Sequence, residues 1–179
     1  TTAEILTRYV DICTSRLPTY KRALRVLEKN GVTKPFVRES FQIGFSDGTV
    51  TELVDDNDEL RETLDRIGFI ENGRDRFRNC IIIPIFDETK TPVNLVGYSI
   101  YPQRKPRTIW LNEKGIFNGS FLRHTDEVLL TREPLDALAL IEREIANVTF
   151  LFGDEGKYEH AMKANTIRRA TFLFDGHAR

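Results

Sequence analysis

The sequence is poor in cysteine and has no long apolar run. Its 179 residues include only Cys13 and Cys80, which lie far apart and outside any Cys-x-x-Cys spacing. That excludes a disulfide framework and leaves no zinc site built within the chain, so both thiols are expected as small buried apolar groups. No apolar stretch approaches the roughly 18 residues needed to span a bilayer. The first residues also lack the basic-then-apolar pattern of a secretory leader. A soluble cytoplasmic protein without a membrane partner is the expectation. An excess of one charge is missing too, since 26 Lys and Arg stand against 27 Asp and Glu.

That balance hides a patchy distribution. Bases dominate 16–38, acids dominate 47–71, and bases return over 74–107. Such patches form either solvated faces or a polyanion-binding surface. An apolar content of 40% is enough for one compact unit or two small subdomains.

The periodicity predicts a helical first third. "TYKRALRVLEKNG" (19–31) spaces Tyr20, Leu24 and Leu27 for a helix stopped at Asn30-Gly31. "TKPFVRESF" reads as a second helix, with Thr33 as N-cap and Pro35 in its first turn. A third runs to Ile67 before Gly68, with Asp56 or Asp58 as its cap. "NCIIIPIFD" and "PVNLVGYSIY" then predict an antiparallel hairpin across "ETKT", which puts Pro84 at an edge or a bulge. "YPQRKPRT" is the expected hinge between two halves. From Glu127 the order becomes strand (127–131), helix (134–145), strand (148–152), helix (155–164), strand (170–174). Alternation of that kind predicts a parallel α/β sheet, so the expected fold class is α/β.

Ligands of parallel α/β sheets gather beyond the carboxyl ends of the strands. Here those ends carry Arg132-Glu133, Gly153-Asp154 and Asp175-Gly176-His177. Carboxylates gathered at adjacent strand ends repel one another unless a cation sits between them, which makes Glu133, Asp136, Asp154 and Asp175 candidates for Mg2+. Acids and glycines at strand ends are equally what helix caps and turns require.

"DRFRNCIIIPIFD" (75–87) resembles the signature of the bacterial-type DNA primase catalytic core. "ALRVLEKNGVTKPFVRESFQIGFS" is similar to that family's helix, glycine turn and helix leading into a strand. "IWLNEKGIFNGS" resembles its Tyr-Leu-Asn run, and "VLLTREPLDALAL", "VTFLFG" and "ATFLFDGHAR" resemble the first three strands of its metal-binding TOPRIM domain. The resemblance, in this order, covers nearly the whole chain. It implies two parts: a mixed helical and β-hairpin N-terminal subdomain over 1–125 with a basic nucleic-acid-facing surface, and an incomplete TOPRIM-like subdomain over 126–179.

The activity implied is template-dependent RNA primer synthesis on single-stranded DNA, a nucleotidyltransferase reaction of DNA replication assisted by Mg2+ or Mn2+. Arg76 and Arg78 correspond to the family's basic pair. Arg107, near the Leu-Asn turn, is a weaker substitute for a lysine that the family places beside its tyrosine, and Trp110 occupies that aromatic position, where a ring stacks on a base. Glu133, Asp136 and Asp175 are the implied catalytic residues, and Glu133, Asp154, Asp175 and His177 the implied metal ligands. Nucleoside triphosphates are the implied second partner, and a replicative helicase is a partner through regions outside this chain.

The departures are specific. Aligning "DALAL" with the Glu-Gly-x-x-Asp signature without a gap places Arg132 at the catalytic glutamate, and only a one-residue slip restores Glu133. Pro134 at the first helical position also makes Glu133 an N-terminal cap in its own right. His177 replaces the second acid of the Asp-x-Asp pair, Asn118 stands where a lysine follows the Phe, and Cys80 replaces a third arginine. Mg2+ affinity depends on charge count, so these changes weaken the site. Two functions follow: a divergent primase core that polymerises, or a nucleic-acid-binding or scaffolding relative whose metal site has degraded.

Overall fold

The computed structural model describes residues 1–50 and 57–174. The sequence begins with a helix that the reading above left out, α1 (Thr2–Arg16), which buries Leu6, Tyr9, Val10 and Cys13 on one stripe. Thr1 and Glu4 close a capping box at its start. Helix α2 (Lys21–Lys29) buries Ala23 and Leu27 and ends at Gly31, whose φ of +84° fits the expected glycine stop.

Helix α3 (Pro35–Ser40) corrects one expectation. Its cap position is Lys34, and Thr33 does not cap it. The first turn is satisfied from 109 residues away by Glu142, whose carboxylate accepts from the amide of Thr33 at 2.8 Å, the amide of Lys34 at 2.9 Å and the Thr33 hydroxyl. Helix α4 (Asp58–Arg66) is likewise capped by Asn57 rather than Asp58, with Asn57 Oδ1 accepting from the amide of Leu60 at 2.9 Å. Asp56 lies outside the described residues.

Strands β1 (Gly44–Ser46), β4 (Cys80–Phe86), β5 (Pro92–Ser99) and β6 (Thr108–Trp110) form an antiparallel sheet in the order β1-β4-β5-β6. A two-residue ribbon, β2 (Ile70–Glu71) with β3 (Arg74–Asp75), precedes β4. The predicted hairpin is present, with Cys80 opposite Ser99. Asp87 Oδ1 ties its turn by accepting from the amides of Thr89 and Thr91. Pro84 lies past the short β1 and one residue from a bulge at Ile85/Phe86, where a missing N–H is tolerated.

The unbroken apolar run of β4 follows from burial on both faces. Ile81, Ile83 and Ile85 join Val96 and Tyr98 in a core shared with α2, α3, α5 and β8. Cys80, Ile82 and Leu95 face a second core with α1, Leu64 and Phe77. Both cysteines are buried and free, as expected.

Strand β7 (Glu127–Thr131), helix α5 (Pro134–Glu142), β8 (Val148–Phe150), α6 (Gly156–Ala164) and β9 (Arg169–Leu173) give the predicted alternation. The strands are parallel in the order β8-β7-β9. Rings of Phe41, Phe117 and Phe150, 5.1 and 4.8 Å apart in succession, join this layer to the first sheet. "YPQRKPRT" is not a hinge between halves: it connects β5 to β6 inside the antiparallel sheet. No described helix is long and apolar enough to cross a membrane.

Burial alone would raise the Glu142 carboxyl, but the bonds from Thr33 and Lys34 outweigh it and hold the group below its ordinary value. The stabilisation is therefore fully present above the ordinary value of 4.5 and is lost as pH falls through the lowered one. Glu142→Gln is expected to cost about 1–3 kcal/mol near neutral pH and to flatten the acid limb of stability, read by urea unfolding across pH 3 to 7. Gly44→Ala is expected to cost a similar amount, about 1–3 kcal/mol. A Cβ there would sit 2.6 Å from the Cys13 carbonyl carbon, and thermal unfolding reports the loss.

Candidate functional site

The carboxyl end of β7 is an abrupt strand-to-helix joint. A residue before proline is pushed away from the helical region, and Glu133, at φ −93° and ψ 133°, is extended. Thr131 Oγ1 pins the joint by donating to the Glu133 carbonyl at 3.0 Å. Glu133 holds the expected N-cap position of α5, filled through its backbone, since its side chain makes no capping bond. Arg132 and Glu133 are exposed and Asp136, in the first turn of α5, is half-buried. The Arg132 guanidinium rests over the Phe174 ring, 4.7 Å from its centroid.

Arg132 and Glu133 line one wall of a cleft of about 620 Å³ whose other wall includes Thr108 and Trp110 of β6, with Phe152 and Gly153 beyond β8. Tyr98 shows how close the walls come. Burial first raises its phenol above the ordinary value, Arg107 opposes the rise, and the negative charges of Glu133 and Asp136 add to it. Arg107 stacks over the Tyr98 ring at 4.4 Å and donates from Nε to the Ser99 carbonyl at 3.1 Å. Tyr98, with Arg107 over its ring, therefore lies within electrostatic reach of both carboxylates.

Trp110 is half-buried, 6.1 Å from Phe152, and donates from Nε1 to Glu113 Oε1 at 2.9 Å. It thus lines the cleft and packs against its wall. Glu113 escaped the sequence reading. Its carboxylate also accepts from the amide of Asp154 at 2.9 Å, and these two bonds hold it below its ordinary value. A Cβ at Gly153, where φ is +65°, would overlap that carboxylate, so glycine leaves the space in which Glu113 reaches the Asp154 amide. Lys157 places its ammonium 3.4 Å from the Phe152 centroid, beside the same cluster.

Asp154 is exposed, and its Oδ1 accepts from the amide of Gly156 at the start of α6. Among the described residues no group of three or more His, Cys, Asp or Glu is placed to hold a metal ion. Asp175 and His177 lie outside the described residues. Asn118, at φ +57°, uses its amide to donate to the carbonyls of Ala146 and Val148, a structural task in place of the family's lysine.

The basic turn of 76–79 sits between β3 and β4. Asp75 is buried and organises it from within: Oδ1 accepts from the amide of Phe77 at 2.7 Å and Oδ2 from the Ser46 hydroxyl at 3.0 Å. Burial nevertheless raises the Asp75 carboxyl, against the pull of these bonds. Phe77 is buried between half-buried Arg76 and exposed Arg78. The Arg78 stem lies so close to Gly48 that a Cβ there would come 2.5 Å from its Cγ. Cys80 follows, fully buried, its thiol pushed up to about 12 by burial. The amide of Ile100 donates to the Asn79 carbonyl at 3.0 Å and the amide of Ser99 to the Arg107 carbonyl at 2.9 Å. Arg76, Arg78 and Arg107 therefore share one end of the antiparallel sheet.

No family model matches the chain. It is 27% identical over 180 residues to the DNA primase of Pseudomonas aeruginosa, across 89% of this chain and 27% of that protein. The chain thus spans about a quarter of the length of the curated relative it matches. It superposes on the crystal structure of a DNA primase domain from Pseudomonas aeruginosa with a TM-score of 0.81 and 22% identity, over 99% of this chain and 62% of that one. The structure of a DnaG primase catalytic domain bound to ssDNA matches with a TM-score of 0.79 and 18% identity, over 98% of this chain and 61% of that one. Over nearly its whole length the chain has the fold of the DnaG-type primase catalytic core, the RNA polymerase domain.

Proposed function

We propose that this chain is the template- and nucleotide-handling core of a DNA primase, serving template-dependent RNA primer synthesis on single-stranded DNA in the cytoplasm, at the replication fork. The observation that carries the reading is the convergence of Arg76, Arg78 and Arg107 at one end of the antiparallel sheet, whose strand β6 lends Thr108 and Trp110 to a cleft also lined by Glu133. A related catalytic domain has been captured with ssDNA.

Each residue type suits its task. Phosphoryl transfer depends on positioning and on positive charge around the phosphates rather than on covalent chemistry. Arg76 and Arg78 supply charge to a template backbone, Arg107 supplies it to a triphosphate, and the Trp110 ring offers a face to a base. Nucleoside triphosphates are the second ligand, and a replicative helicase is reached through regions outside this chain.

The described donors do not make a site for Mg2+ or Mn2+. Glu133 and Asp154 are two carboxylates where hard cations want more charge, Asp154 engages Gly156, and the Arg132 guanidinium adjoins Glu133. Arg132 favours a second reading, in which the fold is kept as a nucleic-acid-binding module with its transfer chemistry reduced.

Two measurements test these readings. Changing Arg76 and Arg78 together to Ala is expected to weaken binding of a single-stranded oligodeoxynucleotide. It should also lower the slope of log affinity against log salt by about 1.4, roughly 0.7 for each lost phosphate contact. An unchanged slope would mean that both are structural. Titration of Mn2+ followed by water-proton relaxation is expected to show no saturable site at micromolar metal. A saturable site there contradicts the degraded-cage reading and returns Asp175 and His177 to the ligand set.

A further inference from the structure

The segment that looked like a hinge, "YPQRKPRT", folds back across the basic turn. Arg104 is half-buried there, and its guanidinium donates from Nη2 to the Arg76 carbonyl at 2.8 Å and from Nη1 to the Arg78 carbonyl at 3.1 Å. Nη1 also lies 3.2 Å from Cys80 Sγ. The amide of Arg104 donates to the Tyr101 carbonyl at 3.1 Å, which curls its own segment into a turn, and Tyr101 is itself covered by Arg22 at 4.3 Å. Arg104 thus grips the main chain of both arginines that carry the expected phosphate contacts.

We propose that Arg104 is a positioning residue for nucleic-acid binding, acting through Arg76 and Arg78. This rests on the reading of those two side chains as phosphate contacts. The turn is held from inside by the Asp75 carboxylate on the Phe77 amide and from outside by the Arg104 fork on the two flanking carbonyls. A planar guanidinium suits this task, because its fixed fork reaches two acceptors at once, whereas an ammonium is a point charge with no such geometry.

The test compares four forms of the whole chain: the unaltered protein, Arg104→Lys, the double change of Arg76 and Arg78 to Ala, and all three changes together. Binding of a labelled oligothymidylate is followed by anisotropy across a salt series that starts low enough for the weakest form to bind. Arg104→Lys keeps the charge, yet it is expected to weaken binding several-fold and lower the salt slope, with no further loss when Arg76 and Arg78 are already Ala. Amide exchange in the free protein is expected to rise over 77–80 in Arg104→Lys while β4 beyond residue 80 stays protected.

If the double Ala form binds like the unaltered protein, the phosphate-contact reading itself fails. If that form binds weakly but Arg104→Lys binds normally, the reading stands and the positioning role is overturned. Equal losses in both backgrounds overturn it as well, since Arg104 would then contact the DNA itself. Should Arg104→Lys not fold, Arg104→Gln takes its place in the same comparison.

Discussion

Strand β4 is buried on both faces, and the rest of the molecule is arranged around that constraint. Isoleucines alternate from one core to the other along a strand that leaves neither side to water. One side has to be closed by α1 and the aromatic cluster of Phe69 and Phe77, the other by α2, α3 and α5. Closing the second side brings the parallel sheet against the antiparallel one, and the cleft is the gap left where the two meet. The first turn of α3 and the last turn of α5 are then locked by the Glu142 carboxylate, which spans the same junction.

The site is a product of strand ends. Because Cys80 pairs with Ser99, the basic turn before β4 and the connection after β5 emerge side by side. Because β7 is the central strand of its sheet, the joint at Arg132 and Glu133 opens between strand ends on either side. Arg76, Arg78 and Arg107 gather at one end of the antiparallel sheet, although the chain as a whole is almost neutral. Glu113 joins the two through the Trp110 indole and the Asp154 amide, so the aromatic wall of the cleft is braced by a carboxylate on its outer side.

Local patterns announced most of the elements. The Ile-rich run and its partner specified a hairpin, and the alternation after Glu127 specified a parallel sheet, because both depend on neighbours in sequence. Helix α1 is legible as well, since Leu6, Tyr9, Val10 and Cys13 form an ordinary apolar stripe. Thr33 carried the signal of a cap and lost that task to a carboxylate 109 residues away. The two prolines of "YPQRKPRT" signalled a break, while Arg104 turned the break into a brace through bonds that exist only once β4 and β5 are in register. Glu113 gave no signal at all. Its partners are an indole three residues back and an amide 41 residues on, and the second follows only from packing.

Strand β9 has a consequence for how the molecule opens. All five of its residues are exposed, and Phe172, Leu173 and Phe174 present apolar surface to water. Among the described residues its ladder to β7 is its one strand pairing, so little buried area among them opposes its release. Local unfolding is therefore graded: cheap at this margin and as costly as global unfolding at β4. Arg132 itself follows the central strand β7, and only the Phe174 ring beneath it goes with the part that loosens first, whereas Arg76 and Arg78 lead directly into β4. The cleft is therefore walled unevenly: Phe172 and Phe174 stand on its loose side, Thr108 and Trp110 on its firm one.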